Sequence, residues 1–190
     1  MRRRLRRWLL LRIHALTRAA EQAGLEEWQC QALAGFGRCG TGVVVSGRSH
    51  FIHPERIRLG DNVHLGRNAW LRGDGGIEIG DNTHISRNVA IFSASHDHRG
   101  SRLPYDDGFV LRPVRIGRNV WIGMNAMLIP GVSLGDGAIV GMGTVVTGDV
   151  PPLAIVGGPG HRILGHRDRE HYEKLEREGR WGGRGGAALP

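Results

Sequence analysis

Residues 113–150, PVRIGRNVWIGMNAMLIPGVSLGDGAIVGMGTVVTGDV, carry an aliphatic side chain at every sixth position: Ile116, Ile122, Leu128, Leu134, Val140 and Val146. A buried helix face needs apolar residues every three or four positions, and a half-buried strand every two. A period of six satisfies neither. It fits a parallel β-helix, in which each hexapeptide forms one flat side and three sides close a coil of about 18 residues. Gly117, Gly123, Gly135 and Gly141 directly follow four of the aliphatic positions, where the chain is expected to turn. One coil cannot bury its own apolar face, so stacked coils must share a continuous core. The many Gly and β-branched residues also weaken any helical alternative.

The same phrase recurs upstream. Arg56–Asn68 (RIRLGDNVHLGRN), Gly76–Asn88 (GIEIGDNTHISRN) and Pro113–Asn125 (PVRIGRNVWIGMN) are three copies, and Gly131–Gly143 is a degenerate fourth. Leu59, Ile79, Ile116 and Leu134 are then equivalent, at steps of 20, 37 and 18. The first step is one coil with a two-residue bulge, placed at Asp74-Gly75-Gly76. The second is one coil plus 19 extra residues, which must loop out between Ser93 and Arg112. Loops of that length in compact arrays are usually functional. This one begins with Ser95-His96-Asp97-His98.

The ends read differently. Residues 1–40 form a basic extension with a helix expected over 4–34, where Leu5, Trp8, Leu9, Ile13, Leu16, Ala20 and Ala23 recur at helical steps. Seven of the first twenty residues are Arg and none is acidic; they account for most of the net charge of +8. The remainder is almost neutral, which argues against a nucleic-acid surface. Such a helix caps the open first coil, packs against a subunit or partner, or lies on an anionic membrane. No apolar run is long enough to span a bilayer, and the apolar stretch after the basic head is too short for a signal peptide. Cys30 and Cys39 read as free thiols of a cytoplasmic protein. Residues 41–164 form the β-helix, with coils running from Val43 to Pro151-Pro152 and a final extended piece to Leu164. Residues 165–190 comprise a short charged helix over 167–178 and a mobile Gly-rich tail.

His96, its insertion, and the phrase RPVRIGRNVWIG…IPGVSLGDGAIVGMGTVVTGDVPPLAIVGG together resemble the hexapeptide-repeat O-acetyltransferases. That family includes galactoside, maltose, nodulation-factor, exopolysaccharide, streptogramin and xenobiotic-type chloramphenicol acetyltransferases. The resemblance covers about residues 55–164. It implies an all-β, left-handed parallel β-helix that forms a homotrimer. It also implies acetyl-CoA bound between subunits, no metal, and direct transfer to a sugar-like hydroxyl.

By the same resemblance His96 is the general base, a role suited to imidazole near neutral pH. His98 competes for it. The Met124 backbone N–H is the oxyanion donor. Trp121 lines the pantetheine channel or packs between subunits. Gly141, Met142, Gly143, Thr147 and Gly148 match CoA-contacting positions, with Met142 in place of a usual Ala and Gly148 in place of a usual Lys. Arg162, or alternatively Arg167, contacts the CoA phosphates. Asp74 falls at a sugar-binding carboxylate, although Asp-Gly-Gly also favours a turn on its own. Gly66 stands where galactoside acetyltransferase has an Asn.

Two rivals share the fold. One is N-acetylation of an amino-sugar nucleotide. The other is a γ-carbonic-anhydrase-like zinc enzyme, suggested by His64 and His84 at equivalent positions. A non-catalytic scaffold would not need His96.

Overall fold

The computed structural model describes residues 2–97, 107–158, 162–166 and 168–180. Three parallel β-walls wrap one core. The first wall stacks Arg38–Cys39, Ile57–Leu59, Ile77–Ile79, Val114–Ile116 and Ser133–Leu134. The second stacks Val44–Val45, His64–Leu65, His84–Ile85, Trp121–Ile122, Ile139–Val140 and Ala154–Gly157. The third stacks His50–Ile52, Trp70–Arg72, Ala90–Phe92, Met127–Leu128 and Val145–Val146. The chain visits the walls in that order five times, then adds Val150 beside Leu134 and Ala154–Gly157 beside Ile139–Val140. The result is a parallel β-solenoid of about six turns.

Register bears out the sequence alignment: Leu59 pairs with Ile79, Ile79 with Ile116, and Ile116 with Leu134. The column Val45, Leu65, Ile85, Ile122, Val140 and Val156 is buried throughout, as is Leu71, Ile91, Leu128 and Val146. Burial of such side chains supplies roughly 1.5–3 kcal/mol each.

The turns are built differently from the expectation. None of Gly117, Gly123, Gly135 and Gly141 has a positive φ. Left-handed backbone falls two residues later, on Asn119 and Asn125 and on Gly137 and Gly143. Asn tolerates that conformation because its short amide can hydrogen-bond locally. The repeat glycines serve close approach instead. A Cβ on Gly123 would lie 2.6 Å from Met142 N, and one on Gly117 2.7 Å from Asp136 N. The corners also stack their polar groups. Asn68 Nδ2 donates to Asn88 Oδ1 and Asn88 Nδ2 to Asn125 Oδ1, each at 3.0 Å. Asp61 accepts from Thr41 N–H, and that bond, first among its causes, lowers the Asp61 pKa.

The ends also depart from the sequence reading. The solenoid begins at Arg38–Cys39, ahead of Val43, because Phe36 is already buried in the core. Pro151-Pro152 turns a corner and does not end the array: Ala154–Gly157 still joins the second wall, and Arg162–His166 returns antiparallel beside it. Helix α1 (Arg2–Gly35) divides in two. Its last third covers coil one, with Trp28 stacked on Phe51 at 6.1 Å and Phe36 edge-on to Phe51 at 4.9 Å. From Leu10 to Gly24 every residue is exposed. Helix α2 (Arg169–Arg177), capped by Asp168, is docked rather than merely solvated: Asn119 donates to Tyr172, and Arg118 pairs with Glu176 at 3.2 Å. The Gly-rich tail from 181 onward lies outside the described residues.

Candidate active site

The insertion leaves the third wall as a β-hairpin. Ala94–His96 pairs antiparallel with Phe109–Leu111, setting His96 opposite Phe109. Arg112 N–H donates to Ser93 O at 2.8 Å and closes the hairpin root against the wall. The Ser93 hydroxyl accepts from Gly75 N–H and donates to Arg72 O, at 2.9 and 2.7 Å. The root is therefore riveted to the corner that carries Asp74.

His96 is half-buried, and its Nδ1 is buried. Its ring lies 4.4 Å from the Phe109 ring, tilted by 39°. The Arg72 guanidinium lies 4.4 Å from the same Phe109 ring, within cation–π range. Arg72 in turn grips Asp74 with two hydrogen bonds, Nε to Oδ2 at 2.9 Å and Nη2 to Oδ1 at 3.2 Å. The Asp74 side chain is only 12 % exposed, and the Arg72 hydrogen bonds hold its carboxyl below the usual carboxylate range. Both oxygens that were expected to meet a sugar are thus already engaged by this chain.

The site residues lie along two edges of the prism. Asp74, His96, Thr147 and Gly148 follow third-wall strands, on the edge leading back to the first wall. There Thr147 and Gly148 line an open cleft of about 430 Å³ with Arg112, Arg115, Pro130 and Asp149. Met124, Gly141, Met142 and Gly143 share the edge between the second and third walls, where Gly143 N–H donates to Met124 O at 2.8 Å. Among the described residues, the Met124 N–H has no backbone acceptor. Gly141 N–H donates to Val156 O, and Arg162, which is exposed, pairs with the adjacent Gly157. Trp121 stands out from the second wall, 53 % exposed, next in line after His84. His64 and His84 stack at 4.2 Å, but no group of three potential ligands converges among the described residues. His98 and Arg167, the alternatives for base and phosphate contact, lie outside the described residues.

The sequence reading missed Arg72 and Phe109. Arg72 sits two residues before Asp74, and nothing in the repeat pattern marks it out. Phe109 becomes visible only when the insertion is read as a hairpin closing at Ser93 and Arg112. The strand count then sets it opposite His96.

The molecule is a six-turn parallel solenoid with a histidine-bearing hairpin at its third coil. Comparison with known proteins shows its family. Residues 56–93 and 113–148 match the family described as hexapeptide repeat of succinyl-transferase. A maltose O-acetyltransferase from Clostridium difficile 630 is 30 % identical, with 73 % of each chain covered and a TM-score of 0.66. The hexapeptide-repeat acetyltransferase VCA0836 from Vibrio cholerae, solved with acetyl coenzyme A, is 29 % identical over 72 % of this chain and 74 % of that one, with a TM-score of 0.67. Galactoside O-acetyltransferase of Escherichia coli K12 is 33 % identical over 129 residues, 64 % of each protein. The chain belongs to the hexapeptide-repeat acetyltransferase family. It spans about half the length of several curated relatives it matches.

Proposed function

We propose that this chain is an acetyl-CoA-dependent O-acetyltransferase acting on a saccharide hydroxyl. The observation that carries the reading is the placement of His96. The repeat is interrupted once by a long insertion, and the interruption holds a half-buried imidazole on a paired rung of a hairpin whose root residue Arg112 lines an open cleft. With Nδ1 buried, Nε2 is the nitrogen that meets the acceptor. It takes the hydroxyl proton as the oxygen attacks the thioester carbonyl. The C–S bond then breaks, and the imidazolium returns the proton to the CoA thiolate. The Met124 N–H receives the developing oxyanion.

His96 and Met124 stand on different edges of one prism, so a complete site needs two subunits. A homotrimer supplies three such sites. Within each, Trp121, Gly141, Met142 and Gly143 of one subunit face Thr147 and Gly148 of the next across the CoA groove, and Arg162 reaches the CoA phosphates. The second and third walls present Trp121, Met127 and Trp70 outward, an apolar surface suited to that packing. A sugar would bind near Asp74, on the His96 edge.

No described helix is long and apolar enough to cross a membrane. The exposed stretch of α1 carries Leu10, Leu11, Ile13 and Leu16 among Arg residues and suits peripheral contact with an anionic leaflet. This would set a cytoplasmic enzyme beside lipid-linked or surface-polysaccharide precursors.

The test is thiol release from acetyl-CoA with a panel of sugars and one amino-sugar nucleotide, for wild type and His96→Ala. Sugar-dependent release lost in the variant supports the reading. Release with the amino-sugar nucleotide alone would replace O-transfer by N-transfer, and release indifferent to His96→Ala would remove the base. Light scattering at the mass of a monomer would sink the shared site. Failure to float with phosphatidylglycerol vesicles would remove the membrane contact.

A further inference from the structure

We propose that Arg72 and Phe109 are positioning residues for His96, and that Asp74 serves them as the anchor of Arg72. The inference rests on the reading of His96 as the base. His96 lies on a two-stranded hairpin, and an isolated hairpin is marginally ordered in water. Beyond His96 one further rung is described, Asp97 N–H to Gly108 O at 3.1 Å. A base on such an element needs something to fix its ring.

The ring contacts run from the hairpin back into the rigid wall. Phe109, the cross-strand partner of His96, packs its ring on the imidazole at 4.4 Å. Left alone, a Phe that is 41 % exposed could swing away. Arg72 closes that route from the third wall, where its own backbone pairs with Phe92. A guanidinium is planar and holds its face on a ring only while its edge is fixed. Asp74 fixes that edge with a two-point grip, and Arg56 Nη1 bonds the Asp74 carbonyl at 2.6 Å. Each link joins the hairpin rung to a neighbour nearer the wall, ending in the coil corner. A carboxylate committed in this way contributes orientation first. A sugar hydroxyl would have to share oxygens that already hold two charge-assisted hydrogen bonds.

The test uses the full chain with isotopically labelled histidine, whose His96 ring signals are assigned by their loss in His96→Gln. We expect Arg72→Met and Phe109→Leu to move the His96 signals, Phe109→Tyr to restore them, and the His64 and His84 signals to stay in place. Kinetics with acetyl-CoA and either methyl β-galactoside or maltose as acceptor give the second readout. Arg72→Met, Phe109→Leu and Asp74→Asn should each lower kcat about 10- to 100-fold at unchanged KM for acetyl-CoA. Asp74→Asn combined with Arg72→Met should be no worse than Arg72→Met alone. Unmoved His96 signals in both Arg72→Met and Phe109→Leu would overturn the proposal. So would an Asp74→Asn variant that raises only the acceptor KM, which makes Asp74 a binding group. A fully active His96→Gln would defeat the base assignment instead, and the ring signals would still decide whether Arg72 and Phe109 hold that side chain.

Discussion

Leu71 lies on the third wall and His96 on the hairpin that leaves this wall one coil later, yet they are specified in opposite ways. Leu71 has counterparts in Ile91, Leu128 and Val146, all buried and all in register. His96 has none; it occurs where the repeat is broken. The repeated positions carry stability, since each coil buries the apolar face of its neighbour. The unrepeated positions are free of that duty. The proposed base stands there, along with contacts such as Arg72 on Phe109 that no other coil reproduces among the described residues.

The sharpest way to break this contrast is to exchange the two kinds of residue. His96→Ala should cost about 10²–10⁴-fold in acetyl transfer, which is roughly 3–5 kcal/mol of barrier, with the melting temperature unmoved. Leu71→Ala should do the reverse. It removes about 2–5 kcal/mol of stability in denaturant titrations, while the folded fraction keeps its turnover. Equal loss of both properties in either variant would dissolve the distinction.

Gly123→Ala probes the close approach between coils. Its new Cβ would meet Met142 N at 2.6 Å, a backbone atom that cannot step aside. We expect a loss of about 1–3 kcal/mol by chemical denaturation. The same substitution at Gly76 meets nothing within 4 Å but must hold a φ of +92°, so any cost there is conformational strain.

Asp74 yields a smaller effect, and its sign follows from its environment. The Arg72 hydrogen bonds lower its folded pKa, so the stability they contribute is complete above the ordinary carboxylate range. It is lost as pH falls through the depressed folded value. Wild type should therefore lose more stability than Asp74→Asn between pH 5 and strongly acid solution, as measured by urea midpoints at each pH. The smallest effect belongs to the outer first wall. Arg115 and Glu78 are 3.9 Å apart and largely exposed. Arg115→Ala should change stability by about 0.5 kcal/mol or less, and less still in high salt.

Much of this architecture was legible in the residues. The columns Leu59–Leu134 and Leu65–Val140 follow from spacing alone, because a six-residue period admits one wall geometry. The break at Ser93–Arg112 follows from a 37-residue step. Turn chemistry was less visible. Gly117 and Asn119 are both turn-prone residues, and pattern cannot say which takes the left-handed backbone and which yields space to the next coil. The same limit hid the docking of α2, since Tyr172 and Glu176 reach a corner more than fifty residues upstream.

What the sequence determined alone is therefore the coil, its core and the place where it is interrupted. These depend on short, repeated spacings, and repetition makes a weak local preference unambiguous. The tertiary structure decided that His96 faces Phe109, that Arg72 holds Phe109 and is held by Asp74, and that His96 and Met124 stand on separate edges. Those relations depend on hairpin register and on which corner each coil turns. Both are set by the packed chain as a whole and occur only once in it.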